Sequence, residues 1–136
     1  MARTVSIGTG SLRYDQNIVI GPHVLHSDEP AEVGGADSGP NAEELLLAAL
    51  GACASITLQM YADRKQWPLH GVAATLSLVA GRIEMEIALQ GDLSAEQREH
   101  LFAISQKCPL HRLLTAGVEI HTRERAAAAN AAEKSP

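Results

Sequence analysis

The order of apolar and polar positions divides the chain into a β-rich start, one long helix, a hairpin and a helical end. Between residues 4 and 27 apolar positions alternate weakly (Val5, Ile7, Ile18, Ile20, then Val24 and Leu25). The turn-forming stretches Tyr14-Asp15-Gln16-Asn17 and Gly21-Pro22 interrupt them, which predicts a hairpin or three-strand meander. A Gly/Pro/Asp-rich loop follows from Ser27 to Pro40. Loops of this length without structure of their own are uncommon and often functional.

The longest predicted element is a helix over Ala42 to Gln66. Asn41 suits its N-cap, Glu44 can answer as the capping-box partner, and Pro68 stops it. Its first half, Leu45 to Ala54, contains no charged residue and is apolar all round, so it must be buried on every side. The second half turns polar at Asp63-Arg64-Lys65-Gln66 and reaches water. A small domain can rarely surround such a helix alone, and self-association is the natural cover.

Period-2 patterning then predicts two strands. Ala74, Leu76 and Leu78 share one face; Ile83, Met85, Ile87 and Leu89 share another, with Glu84 and Glu86 outward. The short Ala80-Gly81 link makes the pair an antiparallel hairpin. A helix is predicted from Ser94, its N-cap with Gln97 at the capping-box position, to Gln106. Pro109 starts a short helix through Leu114, and Val118–Thr122 reads as a last strand. The fold class is α+β, with one domain over residues 1–125 and a flexible tail over 126–136 that has no core to offer.

Composition narrows the function. At 136 residues the chain suits one domain with a real core. A net charge of -5 and a pI of about 5.6 argue against a nucleic-acid surface, which needs clustered Lys and Arg. Arg64-Lys65 and Arg123/Arg125 are too few for such a patch. The start is too polar for a signal peptide, and the apolar run from Leu45 to Ala54 is shorter than the ~20 residues that span a bilayer. No membrane association is expected, and the cytoplasm is the expected compartment. Two cysteines in a reducing compartment are free thiols or a transient redox couple more often than a staple.

The two thiols differ in their local settings. Cys53 lies mid-helix among Ala, Leu and Gly, a setting that favours a neutral thiol and equally fits a small buried hydrophobe. Cys108 precedes Pro109 and so falls at a helix N-cap, where free N–H groups favour a thiolate; Lys107 is adjacent and His111 one turn on. By local sequence Cys108 is the more reactive. Cys108-x-x-His111 is half of a zinc-ligand pattern, but no second pair has ligand spacing, and neither a metal nor a cofactor is expected. His23 and His26 flank a turn and are expected to face solvent. No Gly-x-Ser-x-Gly or phosphate-binding loop occurs. Glu43 on the first helical turn precedes Cys53 by ten residues, or ~15 Å of helix. It either caps its own helix or, in an antiparallel dimer, approaches Cys53 of the other chain.

The segment Asn41-Ala42-Glu43-Glu44-Leu45-Leu46-Leu47-Ala48-Ala49-Leu50-Gly51-Ala52-Cys53 and the segment Lys107-Cys108-Pro109-Leu110-His111-Arg112 together resemble the OsmC/Ohr family. Asp28-Glu29-Pro30, Gly34-Gly35, Gly39-Pro40 and Met60-Tyr61-Ala62-Asp63-Arg64-Lys65 resemble its general OsmC-like branch. The resemblance covers residues from about 4 to 123. It implies antiparallel sheets wrapped around long central helices in an intertwined homodimer, and a thiol-dependent peroxidase. In that scheme Cys53 is the peroxidatic thiol and Cys108 the resolving one, reversing the order read from local sequence. Glu43 matches the family's carboxylate, which holds an arginine that activates the first thiol; Arg13 is the best match for that arginine and Arg3 a poorer one. The implied partners are a hydrophobic hydroperoxide substrate and an external dithiol reductant such as a lipoylated protein. Leu110-His111-Arg112 departs from the small polar residues of Ohr, and the Ala80-Gly81 link is shorter than in many relatives. A non-catalytic binder of small molecules or acyl groups, with packing cysteines, is the competing expectation, and a redox sensor using the same pair is a third.

Overall fold

The structure is a computed structural model and describes residues 3–126. Its elements are β1 (Ser6–Thr9), β2 (Gln16–Ile20), β3 (His23–Ser27), a 3-10 turn (Ala31–Val33), α1 (Ala42–Lys65), β4 (Gly71–Val79), β5 (Arg82–Gln90), α2 (Ala95–Ser105) and α3 (Pro109–Ala116). This is the α+β mixture of helices and antiparallel sheets that the patterning predicts. The chain forms two compact units, residues 3–42 with 119–126, and residues 43–118. The tail expected from residue 126 lies, beyond Ala126, outside the described residues.

In the first unit β1, β2 and β3 form the expected antiparallel meander. Gly21-Pro22 links β2 to β3, with Ile20 opposite His23 and Gly21 at φ 57°, a conformation glycine adopts without a side-chain clash. Its apolar burial is slight. Ile18 is buried, whereas Val5, Ile7, Val19, Val24 and Leu25 are exposed. The loop after β3 is ordered instead by the buried carboxylate of Asp28. That group accepts hydrogen bonds from the amides of Glu29 (2.7 Å), Ala36 (3.2 Å) and Ser38 (3.1 Å), and from the Ser38 hydroxyl (2.8 Å). Desolvation pushes the carboxyl upward, but the Ser38 hydroxyl and the three amides outweigh it and leave Asp28 below its ordinary 3.8.

His26 is not the solvent-facing residue expected. It is half-buried, with Nε2 at 3.0 Å from Ser38 Oγ and 3.4 Å from the buried Asp15 carboxylate, and Nδ1 at 3.2 Å from Asn17 Oδ1. The loop after β3 supplies Ser38, β2 supplies Asn17 and the turn before β2 supplies Asp15, partners that neighbours in sequence do not reveal.

In the second unit α1 runs unbroken for 24 residues, ~36 Å at the usual helical rise. A stripe at helical spacing (Leu50, Ala54, Leu58, Ala62) is buried. The opposite side is also apolar but exposed: Leu46, Ala49, Ala52, Ile56 and Met60. The helix ends through a left-handed Gln66 (φ 58°), with Trp67 N–H bonding to the Ala62 carbonyl and Gln66 N–H to that of Asp63. Both bonds are those of a Schellman motif, so the chain has already turned before Pro68. Helix α1 is also long and apolar enough to cross a membrane by length and composition, with a mean hydropathy of 1.7 over an 18-residue window. Counting only the run from Leu45 to Ala54 understates this.

Strands β4 and β5 pair in the expected hairpin, Val72 opposite Leu89 through Leu78 opposite Ile83. Ala80 (φ 52°) and Gly81 (φ 78°) both take positive φ, the requirement of a two-residue type I′ turn. The alternation holds on β5, where Ile83, Met85, Ile87 and Leu89 are half-buried and their neighbours exposed. Gly51 permits the close approach of helix and hairpin, since a Cβ there would lie 2.8 Å from Leu76 Cδ1. Helix α2 begins with the predicted capping box of Ser94 and Gln97. Its Leu101 joins Leu58, Ala62, Leu69 and Leu93 in the larger core cluster.

The predicted last strand is absent. Residues 118–122 are irregular, and Val118 and Ile120 are 59% and 80% exposed. Their alternation suits a strand, but a strand needs a neighbour to take its backbone hydrogen bonds, and none pairs with it among the described residues.

Candidate functional site

Cys53 and Cys108 lie 55 residues apart in sequence, yet the second unit brings them together. The difference in number follows directly from their positions. Leu50 and Ala54, on the buried side of α1, form one cluster with Cys108, against which Cys53, Leu76, Ile83, Met85 and Leu110 pack. Both thiols are free. Cys53 is half-exposed, whereas Cys108 has 0% of its surface exposed.

Cys108 is the N-cap of α3, as Pro109 at the first helical position predicts, and its sulfur accepts the His111 amide N–H at 3.3 Å. Burial pushes the Cys108 thiol above its ordinary 9.0. The His111 amide opposes that rise, while a hydrogen bond to Cys53 and the charge of that neighbour add to it; the Leu110 amide opposes it again. The N-cap position therefore does not yield the thiolate expected from local sequence, because desolvation wins over the helix terminus. Cys53 is the more accessible of the two thiols.

The second unit also holds a cavity of about 540 Å³ whose walls include Leu50, Ile83, Met85, Phe102, Leu114 and the half-buried His111. Three of these, Leu50, Ile83 and Met85, belong to the cluster that holds the cysteines.

The other two expected site residues are placed differently. Glu43 is exposed on the first turn of α1, ~15 Å along the helix from Cys53, so one chain does not bring the two together. Arg13 is in the first unit, exposed, with its guanidinium carbon 5.2 Å from the Tyr14 ring centre, a cation–π distance. Among the described residues no group of three or more His, Cys, Asp and Glu side chains could hold a metal. Sequence reasoning missed the organising role of Asp28. Its position at the head of a Gly/Pro-rich loop was the available signal, since an Asp side chain there commonly gathers the following amides.

The family profile described as OsmC-like protein matches residues 35–123, which include both cysteines. The chain belongs to the OsmC-like family. The solved structures agree on the fold. An OsmC-like protein from Mycoplasma pneumoniae aligns with a TM-score of 0.66 at 17% identity, over 85% of this chain and 88% of that one. An organic hydroperoxide resistance protein OsmC from Legionella pneumophila aligns at 0.59 and 20% identity, over 84% and 89%. The organic hydroperoxide resistance protein OhrB of Bacillus subtilis aligns at 0.52 and 20% identity, over 82% and 89%. No curated protein matches the chain. At these identities the OsmC-like fold is what is shared.

Proposed function

We propose that this OsmC-like protein is a thiol-dependent reductase of organic hydroperoxides in oxidative-stress defence, with Cys53 peroxidatic and Cys108 resolving. The observation that carries the reading is the packing of a half-exposed Cys53 against the cluster that buries Cys108. The thiolate is the attacking species, and a peroxide can reach Cys53 but not the fully buried Cys108. Cys53 attacks the distal oxygen of the O–O bond and releases the alcohol, becoming a sulfenic acid. Cys108 then displaces hydroxide from that sulfur to give the disulfide and water. An external dithiol, such as a lipoylated protein, returns both thiols. Relatives of the same fold named for organic hydroperoxide resistance support the substrate class.

The proposal includes a homodimer. The exposed apolar side of α1, from Leu46 to Met60, is covered in it by the same helix of a second chain rather than by lipid. An antiparallel arrangement carries Glu43 of one chain toward Cys53 of the other. Arg13, held by Glu43, is the proposed activating cation. The cytoplasm is the proposed compartment.

The test is peroxide consumption with cumene hydroperoxide and a dithiol. Wild type turns over, and Cys53→Ser falls to the background rate. Equal rates for the two proteins would end the peroxidase reading.

A further inference from the structure

The resolving step has an unmet requirement. Cys108 enters it as a fully buried thiol whose surroundings hold the proton on sulfur. Attack on the oxidised Cys53 requires that proton to leave. Cys108 is also closed to bulk water. The proton therefore needs an acceptor inside the second unit.

Among the titratable side chains around the cavity that shares Leu50, Ile83 and Met85 with the cysteine cluster, His111 and Glu84 are the two candidates. Glu84 is exposed, and its carboxylate is engaged by Arg82 on the same strand. Lys107, beside Cys108 in sequence, is an exposed cation with no acceptor capacity when charged. His111 is half-buried in the cavity wall with Leu50, Ile83 and Met85, which also enclose the cysteines. Its own amide is bonded to Cys108 Sγ at 3.3 Å, so α3 fixes the residue one turn from the sulfur. A neutral imidazole offers one nitrogen as an acceptor.

We infer that the His111 imidazole takes the Cys108 proton as the disulfide closes, directly or through cavity water. This rests on the cysteine-pair reading above. In the step, the Cys108 S–H bond and the S–O bond of the Cys53 sulfenic acid break, and the S–S bond forms. The proton passes to His111 and then to the departing hydroxide, which leaves as water. The oxidant is the organic hydroperoxide that formed the sulfenic acid. His111 acts on closure alone; the first attack, by Cys53, does not involve it.

The inference can be tested without peroxide. Reaction of the full-length protein with Ellman's reagent places an aryl thiol on Cys53 as a mixed disulfide. Closure by Cys108 then expels the coloured aryl thiolate, and its proton must again leave Cys108. Closure is expected to be at least ~10-fold slower in His111→Ala, the lower end of general-base contributions being somewhat larger still. Added imidazole is expected to restore the rate in His111→Ala and to leave wild type unchanged. His111→Gln, which keeps the bulk and the backbone amide, should be as slow as His111→Ala and respond less to imidazole. Wild-type closure rates in both variants, or slow closure that imidazole does not restore in His111→Ala, would overturn the inference. In parallel, the rate of Cys53 oxidation by cumene hydroperoxide in wild type reports on the peroxidase reading alone, and its absence would end that reading without bearing on closure of the mixed disulfide.

Discussion

The two units hold themselves together by different means. In the first, Ile18 is the buried hydrophobic residue, while two carboxylates, Asp15 and Asp28, are buried and hydrogen-bonded. In the second, Leu50, Ala54, Leu58, Ala62, Leu69, Leu93, Leu101 and Cys108 are buried, and Ser105 is the buried polar side chain. Apolar burial is worth roughly 25 cal/mol per Å² and is cooperative across a core. A polar clasp fixes local geometry, because each buried acceptor must keep its donors. The comparison assigns global stability to the unit with the cysteines and loop order to the unit with the meander.

The sharpest way to break that division is Leu58→Ala. Leu58 is 0% exposed at the centre of the larger cluster. Its truncation is expected to lower the unfolding free energy by about 2–5 kcal/mol in denaturant titrations. A loss below about 1 kcal/mol would mean that the core around α1 does not carry the stability assigned to it.

Asp28→Asn probes the other side, with a smaller and more local effect. Amide exchange at Ala36 and Ser38, both bonded to the Asp28 carboxylate, should accelerate, with Leu58 and Leu101 unaffected. The sign with pH is fixed by the lowered carboxyl. The ionised form is favoured in the folded state, so its contribution is present above 3.8 and is lost as pH falls through the folded value. Wild type should therefore lose loop protection below pH 3.8, and Asp28→Asn should show a flatter profile. Identical acid profiles would remove Asp28 from its organising role.

The smallest effect is expected at Cys108. Its thiol is raised, so the neutral form favours folding; that contribution is intact below 9.0 and is lost as pH rises through the folded value. Denaturant titrations below and well above pH 9.0 should show an alkaline loss that Cys108→Ala lacks. An equal loss in both proteins would place the alkaline sensitivity elsewhere.

Much of the fold was legible because its signals are local. The meander, α1, the hairpin across Ala80-Gly81, the Ser94 capping box and the Cys108 N-cap all follow from periodicity and turn chemistry over a few neighbouring residues. The failures needed partners distant in sequence. Val118–Thr122 has a strand's alternation without a strand's neighbour. His26 was expected in solvent because Ser38 and Asp15 reach it only through folding.

The cysteines show the same limit at the level of chemistry. Local sequence favoured Cys108, since an N-cap position and Lys107 both suggest a thiolate. Packing against Leu50 and Ala54 buries it completely, and that burial pushes its thiol upward. Family resemblance, not local sequence, assigned the first attack to Cys53. Glu43 and Arg13 could be named from the same resemblance, but the described chain leaves Glu43 ~15 Å along the helix from Cys53.

The most direct test of the cysteine-pair account is a titration of the reduced, full-length protein with one equivalent of cumene hydroperoxide, followed by non-reducing peptide mapping. The account predicts loss of both free thiols and a single new species in which the peptides containing Cys53 and Cys108 are joined. In Cys108→Ser, Cys53 should instead stop as a sulfenic acid that dimedone traps. Recovery of both thiols intact from wild type, or oxidation of Cys108 with Cys53 still free, would contradict it.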